Sequence, residues 1–263
     1  MTAQPTTHTT ASPTTFVLIH GAWHGGWCWR FVVEQLVARG HRVFAPTLTG
    51  QGERKHLLGA VTSLDVAITD VENLIDAEEL DDVVLVGHSY GGLVASGVAD
   101  RKADALRALV FLDSLLVENG EAAFDVLPSA VVADRLATVD ASGQTLAMPV
   151  PEGLAGTGIP GDHPLAPWVR RRLTPHPLAT YRTPLVLRHP LGNGLPCTYV
   201  HCANPSYDTL APVRERVRQK PGWGWEALDS GHDAMVLDPD LLVALLERLA
   251  VAAPSRARRG RGD

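Results

Sequence analysis

The apolar residues of this chain alternate between two spacings. FVLIHG (16–21) is a short continuous hydrophobic run stopped by glycine, which predicts a strand buried on both faces. WRFVVEQLVARG (29–40) places its apolar residues at helical intervals and ends at Gly40. HRVFAP (41–46) predicts a second strand ended by Pro46, and LDVAITDVENLIDAEE (64–79) an amphipathic helix. The rhythm continues with a strand over 81–89, a helix over 91–103 and a strand over 105–114. Apolar strands that alternate with helices predict an α/β architecture, a parallel sheet covered on both faces.

That rhythm breaks between residues 115 and 194. Pro and Gly become frequent there, as in PVPEGLAGTGIPGDHP, and no strand pattern stands out. A structureless loop of that length is unusual in a compact domain unless it serves the site, so an inserted cap is expected. LPCTYVHC (195–202) restores a strand, 213–222 a helix, 224–235 a strand leading into a loop, and 237–253 a final amphipathic helix with Pro239 near its start. Residues 16–114 and 195–253 are therefore assigned to the core and 115–194 to the cap. The Thr-rich residues 1–15 and the tail 254–263 are expected to be disordered.

Composition narrows the function without choosing it. The 263 residues are 45% hydrophobic and 20% charged, which suits one large domain carrying an insertion. A net charge of −6 gives no footprint for nucleic acid. Cys28, Cys197 and Cys202 are too few and too irregularly spaced for a disulfide framework or a zinc site, so reduced thiols in the cytoplasm are expected. No signal peptide and no membrane-spanning run is visible. The expected partner is a small molecule, with no nucleic acid and no membrane, acted on by a monomer or homodimer.

The chemistry is concentrated in Gly87-His88-Ser89-Tyr90-Gly91, at the end of an apolar strand and the start of a helix. G-x-S-x-G in that setting holds serine in a sharp turn with its hydroxyl exposed, and the flanking glycines let neighbouring backbone approach. Ser89 is thus the expected nucleophile. The following helix points its N-terminal amides at the reacting carbonyl.

This strand–elbow–helix pattern resembles the α/β-hydrolases, in which serine, acid and histidine follow in that order along the chain. Among eleven histidines, His232 in SGHDAM follows the last strand and precedes the final helix, as the resemblance requires of the general base. The oxyanion donors implied are the amide of Tyr90 and that of Ala22, in the loop HGAWHGGW (20–27). In that loop Trp23 is a candidate pocket residue, Trp27 and Trp29 are expected to pack, and His24 to make a structural hydrogen bond. FVLIHGAWHGGWCW, APTLTGQGER, VVLVGHSYGG and GHDAM together resemble the plant methylesterase and hydroxynitrile-lyase family and its bacterial esterase relatives, pyrethroid hydrolases included. The resemblance implies a mostly parallel eight-stranded sheet, a helical cap after the sixth strand, no cofactor or metal, and small apolar esters as substrates. Lyases of this kind carry threonine and lysine where this chain has Gly21 and Asp233, so the esterase reading is favoured. An aspartate at the second position is expected to repel cyanide.

The acid is the open point. Relatives place a carboxylate shortly after the seventh strand, whereas this chain reads Cys202-Ala203-Asn204-Pro205-Ser206-Tyr207-Asp208. Asp113, at the tip of the strand ending VFLD, is the first choice, because a carboxylate there needs a partner and His232 can supply it. Asp208 is the alternative. Leu165 and Trp168 are expected to line an apolar pocket under the cap. The same residues would also serve an acyltransferase, a lactone-forming or cyclising enzyme, or, with the chemistry lost, a ligand-binding receptor.

Overall fold

The computed structural model describes residues 13–154 and 156–255. Strands β1 (Thr15–Ile19), β2 (Arg42–Phe44), β3 (Val83–His88), β4 (Leu106–Leu112), β7 (Cys197–Cys202) and β8 (Gly224–Leu228) form one sheet in the order β2-β1-β3-β4-β7-β8. All of its pairings are parallel. Helices α1 (Arg30–Ala38), α2 (Leu64–Ala77), α3 (Gly91–Lys102), α7 (Ala211–Arg218), α8 (Ala234–Leu237) and α9 (Pro239–Ala252) connect and cover it.

Among the described residues the sheet has six strands, where eight were expected. Among the described strands the inserted segment follows the fourth, where a cap after the sixth was expected. The expected disordered ends lie outside the described residues except for 13–15 and 254–255, and Thr15 already belongs to β1.

The pleat sorts the core into two clusters. Val17, Ile19, Val83, Leu85 and Phe111 face α2 and α3, while Phe16, Leu18, Val84, Val86 and Val110 face α1 and α9. Every residue of β3 is buried. Each fully buried Val, Leu or Ile contributes roughly 1.5–3 kcal/mol, so these two layers set the rigid frame of the site.

Between β4 and β7 the chain forms α4 (Ser129–Ser142), β5 (Ala147–Met148), α5 (Ala166–Arg170), β6 (His176–Pro177) and α6 (Ala179–Arg182). β5 and β6 pair antiparallel, with Met148 opposite His176. Strands of two residues are too short to leave an alternation in sequence. Among the bonds that tie the segment to the core, Thr174 N–H donates to the Trp23 carbonyl (2.9 Å) and Asp233 N–H to the Thr157 carbonyl (3.1 Å). Among the described residues no helix is long and apolar enough to cross a membrane.

Candidate active site

Ser89 sits where β3 gives way to α3, with φ of +52° in the left-handed region. That conformation is costly for a residue with a side chain and turns the hydroxyl out of the sheet. Both glycines of the motif are needed for packing. A Cβ on Gly87 would lie 2.6 Å from the Gly91 carbonyl oxygen, and one on Gly91 would lie 2.7 Å from that of Ile19. Ser89 N–H donates to the Leu112 carbonyl, and its own carbonyl accepts from Leu115 N–H, so the elbow is held to the end of β4.

Asp113 occupies that end, also with positive φ (+38°). Its Oδ2 accepts from His232 Nδ1 at 2.6 Å, and His232 Nε2 lies 3.0 Å from Ser89 Oγ. Serine, histidine and carboxylate thus form one continuous chain of hydrogen bonds. Asp113 is fully buried; its Oδ1 has no hydrogen-bond partner, but the buried Arg214 guanidinium stands 3.7 Å away. Asp208 does not join them. After β7 the chain turns so that Tyr207 faces the His232 ring, with centroids 4.4 Å apart, and the next residue, Asp208, lies exposed at the start of a short helical turn.

His88 supports the histidine loop. Its Nε2–H donates to the His232 carbonyl at 3.0 Å, while Nδ1 has no partner. Burial, helped by the neighbouring histidines, pushes His88 well below the ordinary imidazole range, so it stays neutral. His20 is likewise held down, to about 3, by burial. Its Nδ1–H donates to the Gly21 carbonyl and its Nε2 accepts from Leu48 N–H.

His24 behaves in the opposite way. Burial opposes its charged form, but the charge and hydrogen bond of Asp233 outweigh that and raise its pKa. Nε2–H donates to Asp233 Oδ2 (2.9 Å) and Nδ1–H to the Ala22 carbonyl (2.7 Å). Both nitrogens donate, which is the pattern of an imidazolium. The pair clamps the loop carrying Ala22 to the loop carrying His232. Asp233, completely buried, therefore has its charge met inside the protein. The expectation that it would repel a ligand such as cyanide is corrected: its carboxylate is bound by His24 rather than presented to the pocket.

The Ala22 and Tyr90 amides donate to no backbone carbonyl in the turns and loops of the described residues. The Ala22 loop abuts the nucleophile: a Cβ on Gly21 would lie 3.0 Å from Ser89 Cβ and 2.9 Å from His88 Nδ1. A threonine at Gly21 would need His88 to move. Trp23 lines a small cavity of about 10 Å³ that reaches Ser89, and also a larger one of about 710 Å³ beyond it. Leu165 and Trp168 border neither of these two cavities. Trp168 packs against Trp27 (5.1 Å between centroids) and Phe31 (5.4 Å), where it fastens α5 to the α1 side of the core. Among the described residues, His88, His232 and Asp233 have metal-ligand spacing, with ligand atoms within 4.8 Å of one another. The His232 nitrogens and one Asp233 oxygen are already engaged in the bonds above.

Residues 16–245 match the model of the alpha/beta hydrolase family. The chain belongs to that family. It is 41% identical over 246 residues to a carbendazim hydrolyzing esterase of Nocardioides sp. (strain SG-4G), covering 89% of this chain and 98% of that protein. It is 37% identical over 103 residues to methylesterase 7 of Arabidopsis thaliana, a match covering 38% of this chain and 40% of that one. An extracellular alpha/beta-hydrolase from a Paenibacillus species shares the fold with a TM-score of 0.78 at 23% identity, over 93% of this chain and 100% of that one.

Nothing in the sequence pattern marks Tyr207 or Arg214. Each is a single residue with no motif around it, and each gains its place only through folding. His24 was recognised as a structural hydrogen-bonder, but its partner, Asp233, lies 209 positions away.

Proposed function

We propose that this member of the alpha/beta hydrolase family is a serine carboxylesterase that works through an acyl-enzyme on Ser89. The observation that carries the reading is the continuous chain Ser89 Oγ–His232 Nε2 (3.0 Å) and His232 Nδ1–Asp113 Oδ2 (2.6 Å). His232 takes the Ser89 proton as the oxygen attacks the ester carbonyl. Asp113 holds the imidazole in the tautomer with Nδ1–H and stabilises it once charged. The Ala22 and Tyr90 amides receive the oxyanion, which suits their freedom from backbone carbonyls. His232 then protonates the leaving alcohol, and water activated by the same imidazole releases the acid.

Residues 115–194 act as the cap over a core of 16–114 and 195–253, with Trp23 at the pocket. The identity to the carbendazim hydrolyzing esterase, which spans nearly the whole of both chains, favours a small, largely apolar ester as substrate. The three cysteines are free and buried, which suits the cytoplasm.

The test is intact mass after incubation with a fluorophosphonate. One adduct on the wild type, absent from Ser89→Ala and His232→Ala, is the expected result. A folded wild type that stays unlabelled would overturn the reading. Running the hydrolysis with an added alcohol or amine acceptor then separates esterase from acyltransferase by the product formed.

A further inference from the structure

The inserted segment grips the chain beside each of the two oxyanion donors. Trp23 follows Ala22 directly, and its carbonyl accepts from Thr174 N–H at 2.9 Å. Trp23 has φ of +64°, a left-handed conformation that a tryptophan keeps only where its surroundings impose it. The Thr174 hydroxyl oxygen accepts in turn from Gly52 N–H (2.9 Å), in the loop after β2. Two residues further on, His176 of β6 reaches Tyr90 itself. The two rings meet edge to face with centroids 4.5 Å apart, and Tyr90 is fully buried.

His176 is also completely buried, and it borders neither of the two cavities at the site. Its Nδ1–H donates to Gln51 Oε1 (2.7 Å), and its Nε2 lies 2.9 Å from Thr180 Oγ1. Burial holds this imidazole well below its ordinary range, so it stays neutral and carries the one proton that Gln51 accepts. Gln51 belongs to the core and Thr180 to α6, so the ring is pinned from both. The Thr180 hydroxyl borders that of Tyr90, and Tyr181, the next residue, stacks on the Tyr90 ring at 5.7 Å between centroids. A buried imidazole is costly unless its polar atoms are met, and a network that meets them fixes one arrangement of the rings around it. The Tyr90 ring and the Tyr90 N–H hang on the same Cα. A ring held on several sides therefore fixes the direction of that N–H.

Resting on the esterase reading, we propose that His176 is a positioning residue for the oxyanion hole. It touches no reacting atom. It acts through the Tyr90 ring, keeping the Tyr90 N–H aimed at the oxygen that becomes charged as Ser89 attacks. The inserted segment thereby supplies part of the catalytic geometry, and not only a wall of the pocket.

The test is the rate at which diisopropyl fluorophosphate labels the full-length protein. Ser89 Oγ bonds to phosphorus, fluoride leaves, the serine proton passes to His232, and the phosphoryl oxygen takes the place of the ester oxyanion. Varying the reagent concentration separates the maximal rate from half-saturation. His176→Ala should lower the maximal rate about 10- to 100-fold, the range expected for a misdirected donor, and leave half-saturation nearly unchanged. Tyr90→Ala keeps the amide and removes the ring. With His176 acting through that ring, the double variant should lose no more than Tyr90→Ala alone. The proposal falls if the two losses multiply, if folded His176→Ala labels at the wild-type rate, or if only half-saturation moves. Each of those results leaves the esterase reading standing, whereas a folded wild type that stays unlabelled overturns that reading and this proposal with it. Should His176→Ala fail to fold, Gln51→Met removes the acceptor of Nδ1–H and leaves the ring in place. It should lower the maximal rate in the same sense, and an unchanged rate there sinks the role of His176.

Discussion

Two fully buried carboxylates, each bonded to a histidine, serve opposite ends beside His232. Asp113 holds His232 itself; Asp233, the next residue in the chain, holds His24. The difference lies in what the other ring nitrogen meets. His232 Nε2 faces the Ser89 hydroxyl, which can donate, so this imidazole can take up a proton during the reaction. His24 Nδ1 faces the Ala22 carbonyl, which only accepts, so this imidazole already carries both protons. One pair is set up to change charge, and the other is a fixed clamp. A histidine–aspartate contact is thus assigned a role by the far nitrogen, not by the near one.

The comparison breaks most sharply at the nucleophile. Ser89→Ala or His232→Ala should lower kcat by up to about a million-fold, and the double variant should be no worse than either, because the groups act as a unit. A double variant that loses far more than the singles would mean they act independently. Asp113→Asn should cost about ten-thousand-fold, since an amide cannot hold the required tautomer. Asp208→Asn, on the exposed turn, should leave steady-state rates within about two-fold, surface changes of that kind being nearly neutral. Equal losses in the two asparagine variants would remove Asp113 from the triad.

The core was legible because its physics is local. Continuous apolar runs marked the strands, and G-x-S-x-G at a strand–helix junction marked Ser89, since the close approach of the Ile19 carbonyl leaves room only for glycine at Gly91. His232 followed from its place before the last helix. Asp113 against Asp208 could not be settled from sequence, because the choice depends on whether the chain after β7 presents Tyr207 or Asp208 to the imidazole. The inserted segment was legible as an insertion and little more. The packing of Trp168 against Trp27 and Phe31, for example, joins residues more than a hundred positions apart and leaves no local pattern.

A third test uses acid. His20, His88 and His176 are buried and neutral, their pKa values lowered chiefly by burial, His20 to about 3. A histidine whose folded value lies below its unfolded value of 6.5 takes up a proton on unfolding at any pH between the two. The unfolded state then binds more protons, so stability falls as pH drops below about 6.5 and continues to fall until the folded values are reached. Three such groups give a slope of up to about 4 kcal/mol per pH unit. Urea midpoints at pH 7, 6 and 5 should fall accordingly. A flat profile over that range would show that these histidines are reached by protons in the folded state.

The clamp gives the smallest effect and the finest test. Asp233→Asn keeps the shape but removes the charge that holds His24 protonated, after which burial alone pushes His24 down. The loop carrying Ala22 loses its anchor to the His232 loop, and a shift of the order of 1 Å there costs about 10- to 100-fold in rate. The loss should appear in kcat and in the rate of fluorophosphonate labelling, while Asp113 and His232 remain bonded. Stability carries an independent signature. Because His24 has a folded pKa above its unfolded value, the pair's contribution is complete below about pH 6.5 and fades as pH rises through the folded value. The difference in urea midpoint between wild type and Asp233→Asn should therefore be widest at pH 6 and narrow by pH 9. A difference that does not change with pH would mean that His24 is uncharged, and that its bond to Asp233 is an ordinary one. In that case the contrast between the two carboxylates would lie in geometry alone.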